Sequence, residues 1–205
     1  MQCVVVGGAD IKNYERIKTY IREDGYVIAC DCGVRHLDAL GVQADLIVGD
    51  FDSYKGVLET EAEVIRLPKE KDDTDTVYAL REGINRGFDE FLLLGVVGNR
   101  FDHSFVNVAA LLKLDSLGKK ALIVDDYCEM EVVSDAAFVT SEYPFFSLLN
   151  ISGEENEISI ENAKFGLNHG SISSEYQFAT SNEVLPEKTV KITLHKGRVL
   201  LLRDF

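Results

Sequence analysis

Six short segments, five apolar throughout and the fourth broken by Arg66, set the architecture of the first 125 residues: Cys3–Val6, Tyr26–Cys30, Leu46–Val48, Val64–Leu67, Phe91–Leu94 and Ala121–Val124. Each is too short for a buried helix, and an unbroken apolar run suits a strand covered on both faces. Between most of them the apolar spacing shifts to the helical period. Tyr14, Ile17 and Ile21 place a helix over 13–23, and Leu37 and Leu40 a short one ending at Gly41. Val77, Leu80 and Ile84 share one face of a helix over 73–86 that Gly87 stops, and a Val-, Ala- and Leu-rich helix runs from about 103 to 117 before Gly118. This alternation predicts a parallel sheet with helices on both faces, a Rossmann-like α/β domain.

After residue 125 the pattern changes. Segments 131–133, 138–140, 145–149, 157–160, 190–194 and 198–202 are short strands with polar interruptions, and Lys196-Gly197 marks a turn. They predict a smaller all-β domain, a sandwich or barrel. The expected division is therefore 1–125, an α/β domain, and 126–205, a β domain. No flexible linker separates them, so the two are expected to pack closely.

Composition narrows the function. No apolar stretch approaches the ~20 residues that span a bilayer, and residues 1–8 lack the basic start of a secretory signal. The four cysteines, Cys3, Cys30, Cys32 and Cys128, have no zinc-type spacing and read as reduced thiols of a cytoplasmic protein. A formal charge of −14 argues against a nucleic-acid surface. A small anionic ligand then needs metal ions, backbone N–H groups or a few placed cations.

The carboxylates are where that help is expected. Leu46–Val48 ends at Gly49, and Asp50 and Asp52 follow one residue apart, so in extended backbone both face one spot beyond the strand. Lys69-Glu70-Lys71-Asp72-Asp73-Thr74-Asp75 is a second acidic cluster opening a helix. Like charges held together call for a cation. By themselves, Asp50 and Asp52 also make a polar turn and Asp72 or Asp73 a helix cap. All the polar clusters of the first domain (7–10, Asp31, Asp50 and Asp52, 69–75 and 98–103) follow strands, and in a parallel sheet those ends share one edge. The set suits a nucleoside triphosphate held with Mg²⁺, without the Walker-type lysine loop. His36, His169 and His195 carry no cluster in the sequence and read as structural or surface residues.

Asp31-Cys32-Gly33, Ala44-Asp45-Leu-Ile-Val-Gly-Asp50-Phe-Asp52-Ser53, Lys71-Asp72-Asp-Thr74-Asp75 and Gly98-Asn-Arg100-Phe-Asp102-His103 with Asn107 together resemble the thiamine pyrophosphokinase family. The match in order and spacing covers most of 30–107, and the α/β-then-β layout agrees over the rest. The resemblance implies transfer of a pyrophosphoryl group from ATP to the hydroxyl of thiamine, releasing AMP. It implies Asp31, Asp50, Asp52 and Asp75 as the catalytic Mg²⁺ centre. Ser53, Lys71, Thr74, Arg100, Asp102 and His103 would line the phosphate and nucleotide pocket, and Ser181 and Asn182 would receive thiamine. It also implies a homodimer with shared active sites. Cys32, Ala44, Asn99 and Thr180 depart from the residues usual at those positions. The residues alone leave two alternatives: a metal-dependent nucleotide phosphohydrolase, and a nucleotide-binding sensor without turnover.

Overall fold

The computed structural model describes residues 1–51, 60–70 and 72–205, which form two compact units, Met1–Asp126 and Tyr127–Phe205. In the first, strands β1 (Gln2–Val6), β2 (Tyr26–Cys30), β3 (Leu46–Gly49), β4 (Glu63–Arg66), β5 (Glu90–Leu94) and β6 (Lys120–Val124) lie in the order β6-β5-β1-β2-β3-β4. Every pairing among them is parallel. Val4 to Val6, Ile28, Ala29, Leu46 and Val48 are fully buried, as strands with both faces covered require. Beside them stand α1 (Tyr14–Ile17), α2 (Leu37–Leu40), α3 (Asp75–Asn85) and α4 (Phe101–Ser116).

The order of the strands decides where a ligand fits. From β1 the chain steps outward through β2 and β3 to β4, then returns to lay β5 on the other side of β1. The connections leaving β1 and β5 therefore diverge, and a crevice opens beyond the C-terminal ends of these two strands. The loops meet closely at its floor. Gly95 has φ +60°, and a Cβ on it would lie 2.7 Å from the Gly7 carbonyl oxygen, so neither a left-handed conformation nor a side chain is tolerated there except in glycine.

Helix α1 is shorter than the apolar spacing predicts. It stops at Ile17 and tightens into a 3₁₀ turn over Lys18–Tyr20. The buried Gln2 side chain explains this: its amide donates to the Tyr20 carbonyl at 3.1 Å and accepts the Arg22 N–H at 3.1 Å. Those tertiary bonds hold the backbone in a path that a continuing helix cannot follow. Long-range hydrogen bonding here outweighs local periodicity.

The second unit contains β7 (Cys128–Val133), β8 (Ala136–Val139), β9 (Phe145–Leu149), β10 (Glu157–Glu161), β11 (Leu167–Gly170), β12 (Asn182–Glu183), β13 (Val190–Lys196) and β14 (Val199–Asp204). β12, β9, β14 and β7 neighbour one another in that order, and β11, β10, β13 and β8 form a four-stranded sheet, with antiparallel pairing in both. Val133, Phe146, Leu148, Ile158, Ile160, Ile192 and Leu201 of the two groups share one apolar core. Strands β11 and β12 carry no strand signal in sequence, since Leu-Asn-His-Gly and Asn-Glu read as turns. Their partners β10 and β9 recruit them.

Candidate active site

Five strand ends of the first unit open onto one cleft of about 580 Å³. From β1 come Gly7, Gly8, Ala9 and Asp10; from β2, Asp31 and Cys32; from β3, Asp50. The segment after β4 gives Lys69 and Asp72 to Thr76, and the one after β5 gives Gly95, Val96, Gly98, Asn99, Arg100 and His103. The sheet thus gathers Asp31, Asp50 and Asp75, as expected. Asp52, Ser53 and Lys71 lie outside the described residues.

Asp31 carries the strain and the charge of this site. It has φ +40°, a conformation that costs most non-glycine residues. Its neighbour Gly33 explains the tight turn: a Cβ there would lie 2.1 Å from the Val6 carbonyl oxygen, so only glycine lets this turn press against β1. The Asp31 Oδ1 atom is buried with no hydrogen-bond donor on it among the described residues. Burial pushes the Asp31 carboxyl above its ordinary range, and the charges of Asp75 and Asp50 add to it, against hydrogen bonds from Cys32. Burial also raises the thiol of Cys30, helped by the charge of Asp75, and the Cys30 thiol donates to the Asp75 carbonyl oxygen at 3.7 Å. Among the described residues no set of three His, Cys, Asp or Glu side chains stands ready to hold a metal ion. Mg²⁺ does not require one, since it is commonly held by one or two carboxylates together with water and substrate phosphates. A buried, bond-free carboxylate oxygen beside two further carboxylates fits that donor set.

Two helices aim their N-termini at the cleft, where unpaired N–H groups favour anions. In α3 the cap is Thr74, whose hydroxyl accepts the Val77 N–H at 3.2 Å. Of the two expected caps, Asp72 and Asp73, the second instead pairs with Arg81 at 2.8 Å. Thr74 therefore lines the cleft with its hydroxyl already engaged. In α4 the Ser104 hydroxyl accepts the Gly98 N–H at 2.9 Å. One turn on, the buried Asn107 amide donates to the Val96 carbonyl at 2.8 Å. These two side chains tie the loop after β5 to the helix. Ser104 has no recognisable signal in the sequence, whereas Asn107 stands with the Gly98–His103 motif on which the family resemblance rests.

Arg100 and His103 line the cleft, but Asp102 does not. Asp102 pairs with Arg100 at 2.6 Å where both are well exposed, and Arg100 holds its carboxyl far below the usual range. Exposed pairs of this kind are weak, so an incoming phosphate can take Arg100 from Asp102. His36 is buried under the loop after β1. Its Nε2–H donates to the Ala9 carbonyl at 2.9 Å and its Nδ1 accepts from the Tyr14 hydroxyl at 2.7 Å. It sets the height of the glycine turn without entering the cleft.

In the second unit, Ser181 is exposed with φ +52°. Asn182 is 3% exposed, and its amide is consumed by the backbone. It accepts the N–H groups of Phe165 at 3.1 Å and Glu183 at 2.9 Å, and donates to the Phe165 carbonyl at 2.8 Å. With three hydrogen bonds to backbone, the Asn182 side chain holds its own loop.

A parallel sheet that collects carboxylates, glycine turns and two helix N-termini at its switch point defines a phosphate-handling α/β protein. Residues 17–123 match the family model "Thiamin pyrophosphokinase, catalytic domain", and residues 132–199 match "Thiamin pyrophosphokinase, vitamin B1 binding domain". The chain belongs to the thiamin pyrophosphokinase family. It is 25% identical over 200 residues to the thiamine pyrophosphokinase of Bacillus subtilis, spanning 89% of this chain and 85% of that protein. Its fold superposes on the crystal structure of a thiamine pyrophosphokinase from Bacillus subtilis with TM-score 0.87 at 22% identity, covering 100% and 99% of the two chains. For the enzyme from Geobacillus thermodenitrificans the TM-score is 0.85 at 25% identity, covering 100% and 98%. The yeast enzyme shares the fold with TM-score 0.78 at 15% identity, covering 100% and 86%.

Proposed function

We propose that the chain transfers a pyrophosphoryl group from Mg-ATP to the hydroxyl of thiamine, giving thiamine pyrophosphate and AMP. The observation that carries this reading is the convergence of Asp31, Asp50 and Asp75 with the glycine turns of β1 and β5 on one crevice, in a chain matched by both family models. Asp31, Asp50 and Asp75, with Asp52 from outside the described residues, would hold Mg²⁺. When bound, the ion neutralises charge on the phosphate oxygens.

This chain's residues then act mainly by positioning and charge. The turns at Gly7-Gly8 and Gly95 let the triphosphate approach backbone, and the N-termini of α3 and α4 favour its charge. Arg100, released from Asp102, and Lys69 balance the cleft's carboxylates. The thiamine oxygen attacks the β-phosphorus, the bond from that phosphorus to the oxygen of the α-phosphate breaks, and AMP departs. The hydroxyl proton passes to a carboxylate of the cluster. Ser181, exposed on a loop that Asn182 holds, would meet thiamine.

The same reading takes the first unit as the Rossmann-like ATP-binding catalytic domain and the second as the thiamine-binding and dimerisation domain. It makes the protein a cytoplasmic homodimer with shared sites. No helix among the described residues is long and apolar enough to cross a membrane. Sedimentation at twice the 22.8 kDa chain mass supports the dimer, and a monomer at assay concentration overturns it. For the reaction, the chain is incubated with Mg-ATP with and without thiamine while nucleotides and phosphate are followed. Thiamine-dependent AMP is expected. ADP would mean attack at the terminal phosphorus, and phosphate released without thiamine would mean a hydrolase.

A further inference from the structure

The ends of β1 to β5 deliver residues to the cleft, and the end of β6 acts on it at one remove. β6 ends at Val124, and Asp126 follows as the last residue of the first unit. Its carboxylate does not line the cleft. It closes instead on the loop after β1, where Asn13 lies 113 positions earlier in the chain. Asp126 Oδ1 accepts the Asn13 N–H at 2.7 Å and the Lys12 N–H at 3.0 Å, and Oδ2 shares the Lys12 N–H at 3.0 Å.

That loop carries Gly7, Gly8, Ala9 and Asp10 into the cleft, and it is pinned along its length. At its start the Gly7 N–H donates to the Leu94 carbonyl and the Ala9 N–H to the Gly95 carbonyl, both at 2.8 Å. In its middle Arg35 donates to the Gly8 carbonyl at 2.8 Å and to the Asp10 carboxylate at 2.6 Å, and His36 holds the Ala9 carbonyl. Arg35 and Asp10 are exposed, and such a pair holds little by itself. At the far end Asp126 fixes the backbone of Lys12 and Asn13. Two N–H groups between these pins, those of Gly8 and Asp10, meet no acceptor among the described residues. On the wall of a phosphate-binding crevice, such amides are donors held ready for an anion.

We infer, on the reading of the cleft as a Mg-ATP site, that Asp126 is a positioning residue for the nucleotide: it holds the loop after β1 in the shape that offers the Gly8 and Asp10 N–H groups to the triphosphate. Donors fixed before binding need no ordering when the ligand arrives. With its far end released, the loop has to be ordered by the nucleotide itself, and one further residue to order weakens binding about tenfold. The sign of the effect separates this role from simple electrostatics. A carboxylate near a polyanion repels it, so on charge alone removing Asp126 would tighten nucleotide binding. Removing a clamp loosens it.

Isothermal titration of the full chain with Mg²⁺ and α,β-methylene ATP, whose bridging carbon blocks the bond that pyrophosphoryl transfer breaks, measures the affinity without turnover. Asp126→Ala is expected to bind this nucleotide about tenfold more weakly, with the KM for thiamine unchanged and the parent fold by circular dichroism. Asp126→Asn should recover most of the loss, because a single oxygen in the place of Oδ1 can accept both N–H groups. Amide exchange in the parent should show Lys12 and Asn13 protected with and without nucleotide, and Gly8 and Asp10 protected only with it. That measurement needs no variant, so it decides even where Asp126→Ala does not fold. Equal or tighter binding by Asp126→Ala, equal losses in the Ala and Asn variants, or Gly8 and Asp10 amides indifferent to nucleotide overturn the role of Asp126. A parent that binds the nucleotide yet forms no AMP overturns the proposed reaction instead.

Discussion

Replacing Asn182 by alanine separates two roles for the same residue. If its amide holds the loop, the variant loses stability first and substrate use only as a consequence. The side chain is 3% exposed and makes three hydrogen bonds to backbone, so alanine strands the N–H groups of Phe165 and Glu183 and the carbonyl of Phe165. A buried group left unpaired costs about 1–3 kcal/mol. All three stranded groups are part-buried, so water recovers some of this, and the net loss is about 2–4 kcal/mol. For a chain of this size about 1 kcal/mol lowers Tm by roughly 2–4 °C, giving a drop of about 4–16 °C. Thermal denaturation followed by circular dichroism measures it, with thiamine and ATP kinetics taken well below the transition. The reasoning is refuted if Asn182→Ala melts with the parent while its KM for thiamine alone rises tenfold.

Asp31→Asn and Asp75→Asn should each abolish most thiamine-dependent AMP formation. Asp31→Asn should also raise the metal-free melting temperature, because burial and the neighbouring charges disfavour the carboxylate while asparagine tolerates the positive φ; a lower melting temperature contradicts this. His36 provides a pH dependence. Burial of the ring, then the charge of Arg35, hold its pKa below the ordinary 6.5. The unfolded chain therefore binds the extra proton first, so this contribution is complete above 6.5 and is lost as pH falls through the folded-state value. Urea midpoints measured between about pH 5 and 8 should fall toward acid, and His36→Gln should flatten that slope. Gly33→Ala drives a methyl to within 2.1 Å of the Val6 carbonyl oxygen. It should cost about 1–3 kcal/mol by strain, with nucleotide binding impaired in whatever folds, as read by urea denaturation and ATP titration.

The local pattern of the first unit was written in its residues. Unbroken apolar runs such as Cys3–Val6 form strands buried on both faces, because any polar residue there would lose water without gaining a partner. The change of period near residue 125 separates two kinds of packing, and the polar groups after each run lie where a parallel sheet gathers them. Asp31, Asp50, Asp75, Arg100 and His103 were legible for that reason: their meeting follows from strand direction alone. What the fold decided depends on contacts between distant positions. Gln2 ended α1 by taking the backbone of Tyr20 and Arg22, and Ser104 and Asn107 were fixed on the loop after β5. Asn182 was drawn into the backbone of Phe165, and Asp102 was left outside the cleft beside Arg100. His169 and His195, unremarkable in sequence, were stacked across β10 because antiparallel pairing set β11 and β13 on its two sides. A side chain's hydrogen-bond partner depends on what lies within about 3 Å of it. The order and register of strands determine that, and periodicity along the chain does not carry it.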